Sequence, residues 1–332
     1  MQFGELRRRK FLTLLGGAAA VWPIAVRAQQ PAMPVIGILN PTTFGGVWLP
    51  LEAAFRQGLS DAGYTEGRNV RIEGRWAEGQ YDRLPALAAD LTQHGVAAIA
   101  AFTTPAAKAA KAATATIPIV FTTISDPVQI GFVASLNRPG GNMTGVSVLA
   151  VEVGPKLLEL LHAAVPSAKA IGLLINPRNP NADAQSKNLQ TAAQRLGLQL
   201  HVLNASTQGD LEPVFARVQE LKVNALMIAQ DALFNTQTGQ LADLSARYAV
   251  PAIYPNRDFA EAGGLMSYGT DLRDEYRQAG IYAGRILKGE KPADLPVIQA
   301  SKFELIINLK TANALGLTIS NQMQLLADEM IE

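Results

Sequence analysis

The chain contains no cysteine. That absence alone excludes a lipid-modified cysteine near the N-terminus, disulfide bonds and thiolate metal sites. Net charge is nearly missing as well: 29 Lys and Arg stand against 28 Asp and Glu, a formal balance of +1. With no basic run beyond the first ten residues, nucleic acid is not expected as a partner. Histidine is down to three, His94, His162 and His201, with no two at metal-ligand spacing. No glycine-rich dinucleotide fingerprint follows a strand, no phosphate loop ends in Gly-Lys-Ser/Thr, and no Gly-x-Ser-x-Gly elbow is present. These absences point away from catalysis, and neither a cofactor nor a metal is expected. Past residue 28 no apolar run is long enough to span a bilayer, so the mature chain is expected to be soluble.

What is present is apolar and long. A hydrophobic content of 48% in 332 residues is enough for two sizeable cores. Residues 1–28 read as an export signal. Arg7, Arg8, Arg9 and Lys10 form a basic region, Phe11 to Val26 an apolar one, and Val26-Arg27-Ala28 supplies the small residues of a cleavage site. Arg8-Arg9-Lys10-Phe11-Leu12 also looks like a twin-arginine motif, so either the Tat or the Sec route is open and the expected location is the periplasm.

The stretch from Ile117 to Val148 organises the mature chain. Ile117 to Phe121 predicts a buried strand, Asp126-Pro127 a helix start, Asn137-Arg138-Pro139-Gly140-Gly141 a break, and Met143 to Val148 a further extended segment. Before it, Val35–Leu39, Val70–Glu73 and Val96–Phe102 read as strands, alternating with helices over 48–61, 82–91 and from Thr104-Pro105. The order then recurs. Ile171-Gly172-Leu173-Leu174-Ile175-Asn176-Pro177 echoes Ile36-Gly37-Ile38-Leu39-Asn40-Pro41 at an offset of about 135 residues, and Val250 to Tyr254 echoes Ile117 to Phe121. The expected fold class is therefore α/β: two similar, doubly wound parallel-sheet lobes joined by a multi-strand hinge that lets them close. The expected limits are 33–147 plus about 268–295 for the first lobe, and 148–267 plus about 296–332 for the second. The tail after 308 is expected to carry short helices.

Ligands of open parallel sheets sit beyond the carboxyl ends of the strands. Here those ends hold Asn40, Thr42, Thr43 and Phe44, then Thr103 and Thr104, then Ser125 and Asp126, and in the second half Asn176, Asp231 and Tyr254; Tyr268 lies on a later strand. Neutral hydrogen-bonding groups with a few aromatics suit a small polar or amphipathic solute. Thr104-Pro105 offers free backbone donors to a ligand carboxylate, unless Thr104 only caps its own helix. Asp126 reads first as the cap before Pro127. Asp231, with no proline behind it, is the better partner for a ligand ammonium, against a plain helix start. Phe44, Trp48, Tyr254 and Tyr268 face either ligand or core. Trp76 reads as packing.

The residues then resemble a known family. Phe55-Arg56-Gln57-Gly58-Leu59, Gly63-Tyr64-Thr65-Glu66-Gly67-Arg68-Asn69-Val70, Ala77-Glu78-Gly79, Asp126-Pro127-Val128, Arg138-Pro139-Gly140-Gly141-Asn142-Met143-Thr144-Gly145-Val146, Gly263-Gly264-Leu265-Met266-Ser267-Tyr268-Gly269 and Asn308-Leu309-Lys310-Thr311-Ala312 are similar to the substrate-binding proteins of ABC transporters. The likeness is to the type I periplasmic binding fold, in the group that includes tryptophan and tyrosine binders. It implies a receptor that closes on a solute, an amino acid or aromatic carboxylate, and hands it to a permease with its ATPase. It also implies ligand contacts from the loops after the first, third and fourth strands of each lobe. A monomer is expected. Two alternatives remain at this point: a solute sensor feeding a membrane signalling protein, and an exported α/β enzyme, for which no nucleophile and base pair is evident.

Overall fold

The alternation of β-branched runs with amphipathic helices resolves into two sheets. The computed structural model describes residues 33–45, 48–148, 150–300 and 302–332, so the expected export signal at 1–28 lies outside the described residues. In chain order the first half carries β1 (Val35–Asn40), α1 (Trp48–Asp61), β2 (Arg71–Trp76), α2 (Leu84–Gln93), β3 (Ala98–Ala101), α3 (Thr104–Ala113), β4 (Ile119–Thr123) and β5 (Met143–Ser147). The second carries α4 (Ala150–Ala164), β6 (Ala170–Ile175), α5 (Ala182–Arg195), β7 (Gln199–Asn204), α6 (Leu211–Glu220), β8 (Ala225–Ile228), α7 (Ala232–Thr236), α8 (Thr238–Arg247), β9 (Ala252–Tyr254), α9 (Arg257–Glu261) and β10 (Met266–Thr270). Then follow α10 (Leu272–Leu287), β11 (Ile298–Gln299), β12 (Phe303–Asn308), α11 (Leu309–Ala314), α12 (Asn321–Leu326) and β13 (Glu329–Ile331).

One sheet runs β11-β5-β4-β3-β1-β2 and is parallel throughout. The other runs β13-β12-β10-β9-β8-β6-β7, parallel except where β12 lies antiparallel to β10. Both contain the same 2-1-3-4-5 winding, so each has its topological switch point beside its first strand, where a crevice opens. Both faces of each sheet are covered. Ile36 and Ile38 point to Phe55 and Leu59 of α1 and to Ala279 and Ala283 of α10, while Leu39, Ile99 and Phe121 face Leu84, Leu91 and Ala107. In the second lobe Ile171 and Leu173 face Leu157 and Leu161, and Leu174, Leu226 and Ile228 face Phe215 and Leu241. The alternation follows from the two-residue period of a strand buried on both sides.

The chain crosses between the lobes after β5, after β10 and between β11 and β12. Tyr268 to Thr270 therefore belong to the second sheet and Ile298–Gln299 to the first, each a few residues from the expected limits. After the second crossing, α10 returns to the first lobe and packs on α1 backbone to backbone. A Cβ at Gly58 would stand 1.9 Å from the Arg277 carbonyl oxygen, and one at Gly280 would stand 2.1 Å from that of Phe55. This close seat fixes the first turns of α10 against the cleft.

Two expectations need correction. No helix forms at Pro127. Asp126 does accept the N–H groups of Val128 (2.8 Å) and Gln129 (3.2 Å), but Gly131 takes φ +73° and ends the segment after one turn. The tail carries the expected short helices α11 and α12 but finishes in a strand, β13, parallel to β12.

Candidate ligand-binding cleft

The strand ends of the two lobes meet around a cavity of about 50 Å³. That is several times what one buried water needs. Trp48, Tyr81, Thr103, Thr104, Thr122 and Thr123 border it from the first lobe, Asn179, Asn181, Gln230, Asp231 and Asn235 from the second, and Leu272, Glu275 and Tyr276 from α10. A larger outer recess of about 570 Å³, with Thr42, Thr43, Phe44 and Arg178 on its walls, shares Trp48, Tyr81 and Ala232 with the inner chamber.

The first-lobe wall is built on backbone held in an uncommon conformation. Thr103 has φ 84° and ψ 156°, a region that costs a β-branched residue roughly 1–3 kcal/mol. Its N–H donates to Thr122 Oγ1 at 3.0 Å, which holds it there. α3 begins at the next residue, and no side chain caps it. Thr104, read in the sequence either as a ligand contact or as a cap of its own helix, does not cap it: its hydroxyl pairs with Thr123 Oγ1 at 2.8 Å, and Pro105 has no donor of its own. The positive end of a ten-residue helix thus opens on the chamber uncapped.

The second-lobe wall is organised by a carboxylate. Asp231 is 4% exposed and accepts from Asn176 Nδ2 (3.1 Å), Asn179 Nδ2 (2.7 Å), the Leu233 N–H (2.9 Å) and the Tyr81 hydroxyl (2.9 Å). Burial raises its pKa, and the four hydrogen bonds pull against that rise. The Tyr81 phenol is pushed well up, by burial first and by the Asp231 charge second. Since Tyr81 belongs to the first lobe, this bond closes the cleft. Ser125 adds a second tie, donating to Asn181 Oδ1 at 2.8 Å.

Three polar atoms facing the chamber are buried without a partner: Trp48 Nε1, Thr103 Oγ1 and Asn181 Nδ2. Each such atom costs on the order of 1–3 kcal/mol. Three together at one cavity mark a place built for a guest that supplies acceptors. Among the described residues bordering the chamber there is no Lys, Arg or His.

Of the residues singled out in the sequence, Thr103, Thr104 and Asp231 border the inner chamber and Thr42, Thr43 and Phe44 the outer recess. Phe44 is 60% exposed and meets Trp76 edge-on at 5.5 Å. Asn40 and Asn176 stand one layer back: Asn40 Oδ1 holds Thr42 N at 3.1 Å, and Asn176 Oδ1 holds Arg178 N at 3.0 Å. Ser125 ties the lobes, and Asp126 caps its own turn. Tyr254 and Tyr268 border neither space. Tyr254 is sealed beside Phe259 with its hydroxyl on Asn235 Oδ1, and Tyr268 stacks on Phe303 at 5.6 Å. Sequence reasoning missed Tyr81, Asn179, Asn181, Asn235, Glu275 and Tyr276. The run Asn176-Pro177-Arg178-Asn179-Pro180-Asn181, three asparagines in six residues beyond a buried strand, was the available signal for two of them.

Two similar α/β lobes, strand tips facing each other across a polar chamber, define the class of two-lobed solute receptors. Comparison with known proteins narrows this. Residues 51–331 match the family model described as ABC transporter substrate binding protein, and the chain belongs to that family. It is the solute-binding component of an ABC transporter, a binding protein and not an enzyme. A tyrosine-binding protein of Clostridioides difficile (strain R20291) is 30% identical over 264 residues, 79% of this chain and 75% of that one. The structure of an ABC domain in complex with L-Trp from Streptococcus pneumonia superposes with a TM-score of 0.79 at 26% identity, over 90% of this chain and 99% of the other. A ligand-free, open substrate-binding protein from Clostridium difficile, 25% identical with the same coverage, gives 0.61.

Proposed function

We propose that this chain is the periplasmic receptor of an ABC importer for an aromatic amino acid of the tryptophan and tyrosine kind. The three partnerless polar atoms enclosed between the lobes carry the reading. The ligand carboxylate lies at the N-terminus of α3 beside Thr103 and Thr104, taking the Trp48 and Asn181 donors, and its ring packs against Trp48, Tyr81 and Tyr276. A neutral lining suits this arrangement, because the ligand is a zwitterion and brings both charges itself. What the similar proteins are said to bind, tyrosine in one case and L-Trp in another, supports the same class.

In this reading the lobes turn on the three crossings near residues 148, 271 and 300. The closed monomer is recognised by the permease with its ATPase, after export directed by residues 1–28. Lobe closure on a ligand raises the melting temperature by mass action. The test is thermal denaturation of the purified chain with L-tryptophan, L-tyrosine, other amino acids, sugars and nucleosides, alongside mass spectrometry of any solute carried through purification. A stabilisation confined to aromatic amino acids is expected; a shift with a sugar or nucleoside alone overturns the ligand class.

A further inference from the structure

Two buried carboxylates border the inner chamber, and they differ in how much accepting capacity is already engaged. Asp231 takes four donors, three of them from its own lobe. An ionised carboxylate offers about four lone-pair sites, so Asp231 receives a ligand ammonium only by giving up a bond it has. Glu275, 6% exposed on the first turns of α10, accepts one hydrogen bond, from the Thr270 hydroxyl to Oε1. Its neighbours Leu272 and Tyr276 border the same chamber, and the Gly58 and Gly280 contacts hold α10 in place behind it.

Resting on the amino-acid reading above, we infer that Glu275 accepts the ligand's ammonium group and thereby separates amino acids from the corresponding deaminated acids. The polarity of the chamber agrees. Partnerless donors stand at Trp48 and Asn181, no cationic side chain borders the space among the described residues, and Glu275 is the carboxylate there with capacity left.

With no ligand bound, the Glu275 pKa is raised to about 7. Burial is the main cause, with the charges of Asp271 and Asp274 adding to it and the Thr270 hydroxyl opposing. The other titratable groups around it are Tyr276 on the same helix and, on α1, Glu52, which is paired with Arg56. Strands β3, β4 and β5, packed against α10, carry no titratable side chain. Glu275 also borders a second recess, which it shares with Asp271, Asp274 and Lys302; the Lys302 ammonium is paired with Glu304 at 2.7 Å. An ammonium seated on Glu275 favours its ionised form, so binding expels the proton it holds.

Calorimetric titration of the full chain decides the matter, with L-tryptophan and 3-(indol-3-yl)propanoate as probes for wild type and Glu275→Gln. Wild type is expected to prefer the amino acid by about 100-fold or more, because a site built for a donor rejects the analogue that lacks it. In Glu275→Gln the preference shrinks to within about threefold, through loss of amino-acid affinity while the deaminated acid keeps its own. Wild type alone supplies a second readout that needs no variant to fold. At pH 7 the amino acid releases about half a proton, measured from binding enthalpies in buffers of different ionisation heat, and the deaminated acid releases none. A preference that survives in Glu275→Gln, an equal loss of both probes, or amino-acid binding without proton release overturns the assignment and leaves the amino-acid reading standing. Failure of wild type to bind L-tryptophan or L-tyrosine overturns both.

Discussion

The helix after β3 in the first lobe and the helix after β8 in the second begin at equivalent places and are finished in opposite ways. α3 runs ten residues from Thr104, with no side chain on its open N–H groups. α7 runs five residues, and Asp231 immediately before it caps the Leu233 N–H. Up to that point the lobes repeat each other: Asn40 ends β1, Asn176 directly follows β6, and each holds the N–H two residues on. The difference shows a division of labour. The second lobe closes its helix end with its own carboxylate and cages that carboxylate in asparagines. The first lobe leaves its helix end for an anion from outside, and keeps Thr103 in a costly conformation to do so.

Removing the organiser of the second lobe gives the largest expected effect. In Asp231→Ala the amides of Asn176 and Asn179, the Tyr81 hydroxyl and the Leu233 N–H all lose their acceptor. Water entering the gap offsets part of the cost, leaving a destabilisation of about 4 kcal/mol in chemical denaturation. Thr103→Ala, at the equivalent place, should cost less than about 0.5 kcal/mol, since no hydrogen bond depends on that hydroxyl. Equal losses at the two positions would break the comparison.

A pH series sharpens it next. Burial raises the Glu275 pKa from an ordinary 4.5 to about 7 in the folded chain. A raised carboxylate pKa means that its contribution is full below pH 4.5 and is lost as pH rises through 7. The size is about 3 kcal/mol at 1.36 kcal/mol per unit. Denaturation midpoints at pH 5 and pH 8 should therefore fall with rising pH, and Glu275→Gln should flatten the slope. Burial raises Asp231 in the same direction, so a slope that survives Glu275→Gln undiminished would assign the titration to the second lobe.

Much of this was legible in the residues, for reasons that also explain what was not. Short continuous apolar runs and cap-and-proline punctuation revealed two α/β lobes, because burial on both faces leaves a continuous hydrophobic signature in each strand. Thr103, Thr104 and Asp231 were legible as cleft residues because strand tips are where this architecture opens. Tyr254 and Tyr268 looked equally placed, and only packing against Phe259 and Phe303 turns them inward. Glu275 was hidden for the opposite reason. With Asp271 and Asp274 it forms an acidic first turn, which in sequence reads as a solvated helix start complementing the helix dipole. Its burial depends on the seat of α10 against Gly58, more than two hundred residues away, and no local pattern reports such a contact. Tyr81 was missed likewise, since its partner Asp231 lies on the other lobe.

Two substitutions probe the cleft itself with smaller effects. Thr103→Asp brings the first lobe's own carboxylate to its helix end, imitating the second lobe. Binding of L-tryptophan should weaken about 100-fold, about 2.7 kcal/mol, by repulsion and by occupation of the open N–H groups, with the melting temperature of the empty chain hardly changed. Tyr81→Phe is gentler and tests how the lobes are joined. The phenol is the one donor on Asp231 that comes from the other lobe, so deleting it leaves the asparagine cage and the α7 cap in place. Stability of the empty chain should change by less than about 0.5 kcal/mol, because water replaces the hydroxyl once the cleft opens. The closed form loses about 1 kcal/mol, so ligand should dissociate about five times faster while the association rate stays nearly the same. Stopped-flow dissociation, with small-angle scattering of the liganded chain, measures both. Were Tyr81→Phe to destabilise the chain as Asp231→Ala does, with no change in dissociation rate, the phenol would be a fourth bar of the second lobe's cage and not a latch between the lobes. The Ser125 to Asn181 bond would then be left as the tie that holds the cleft shut.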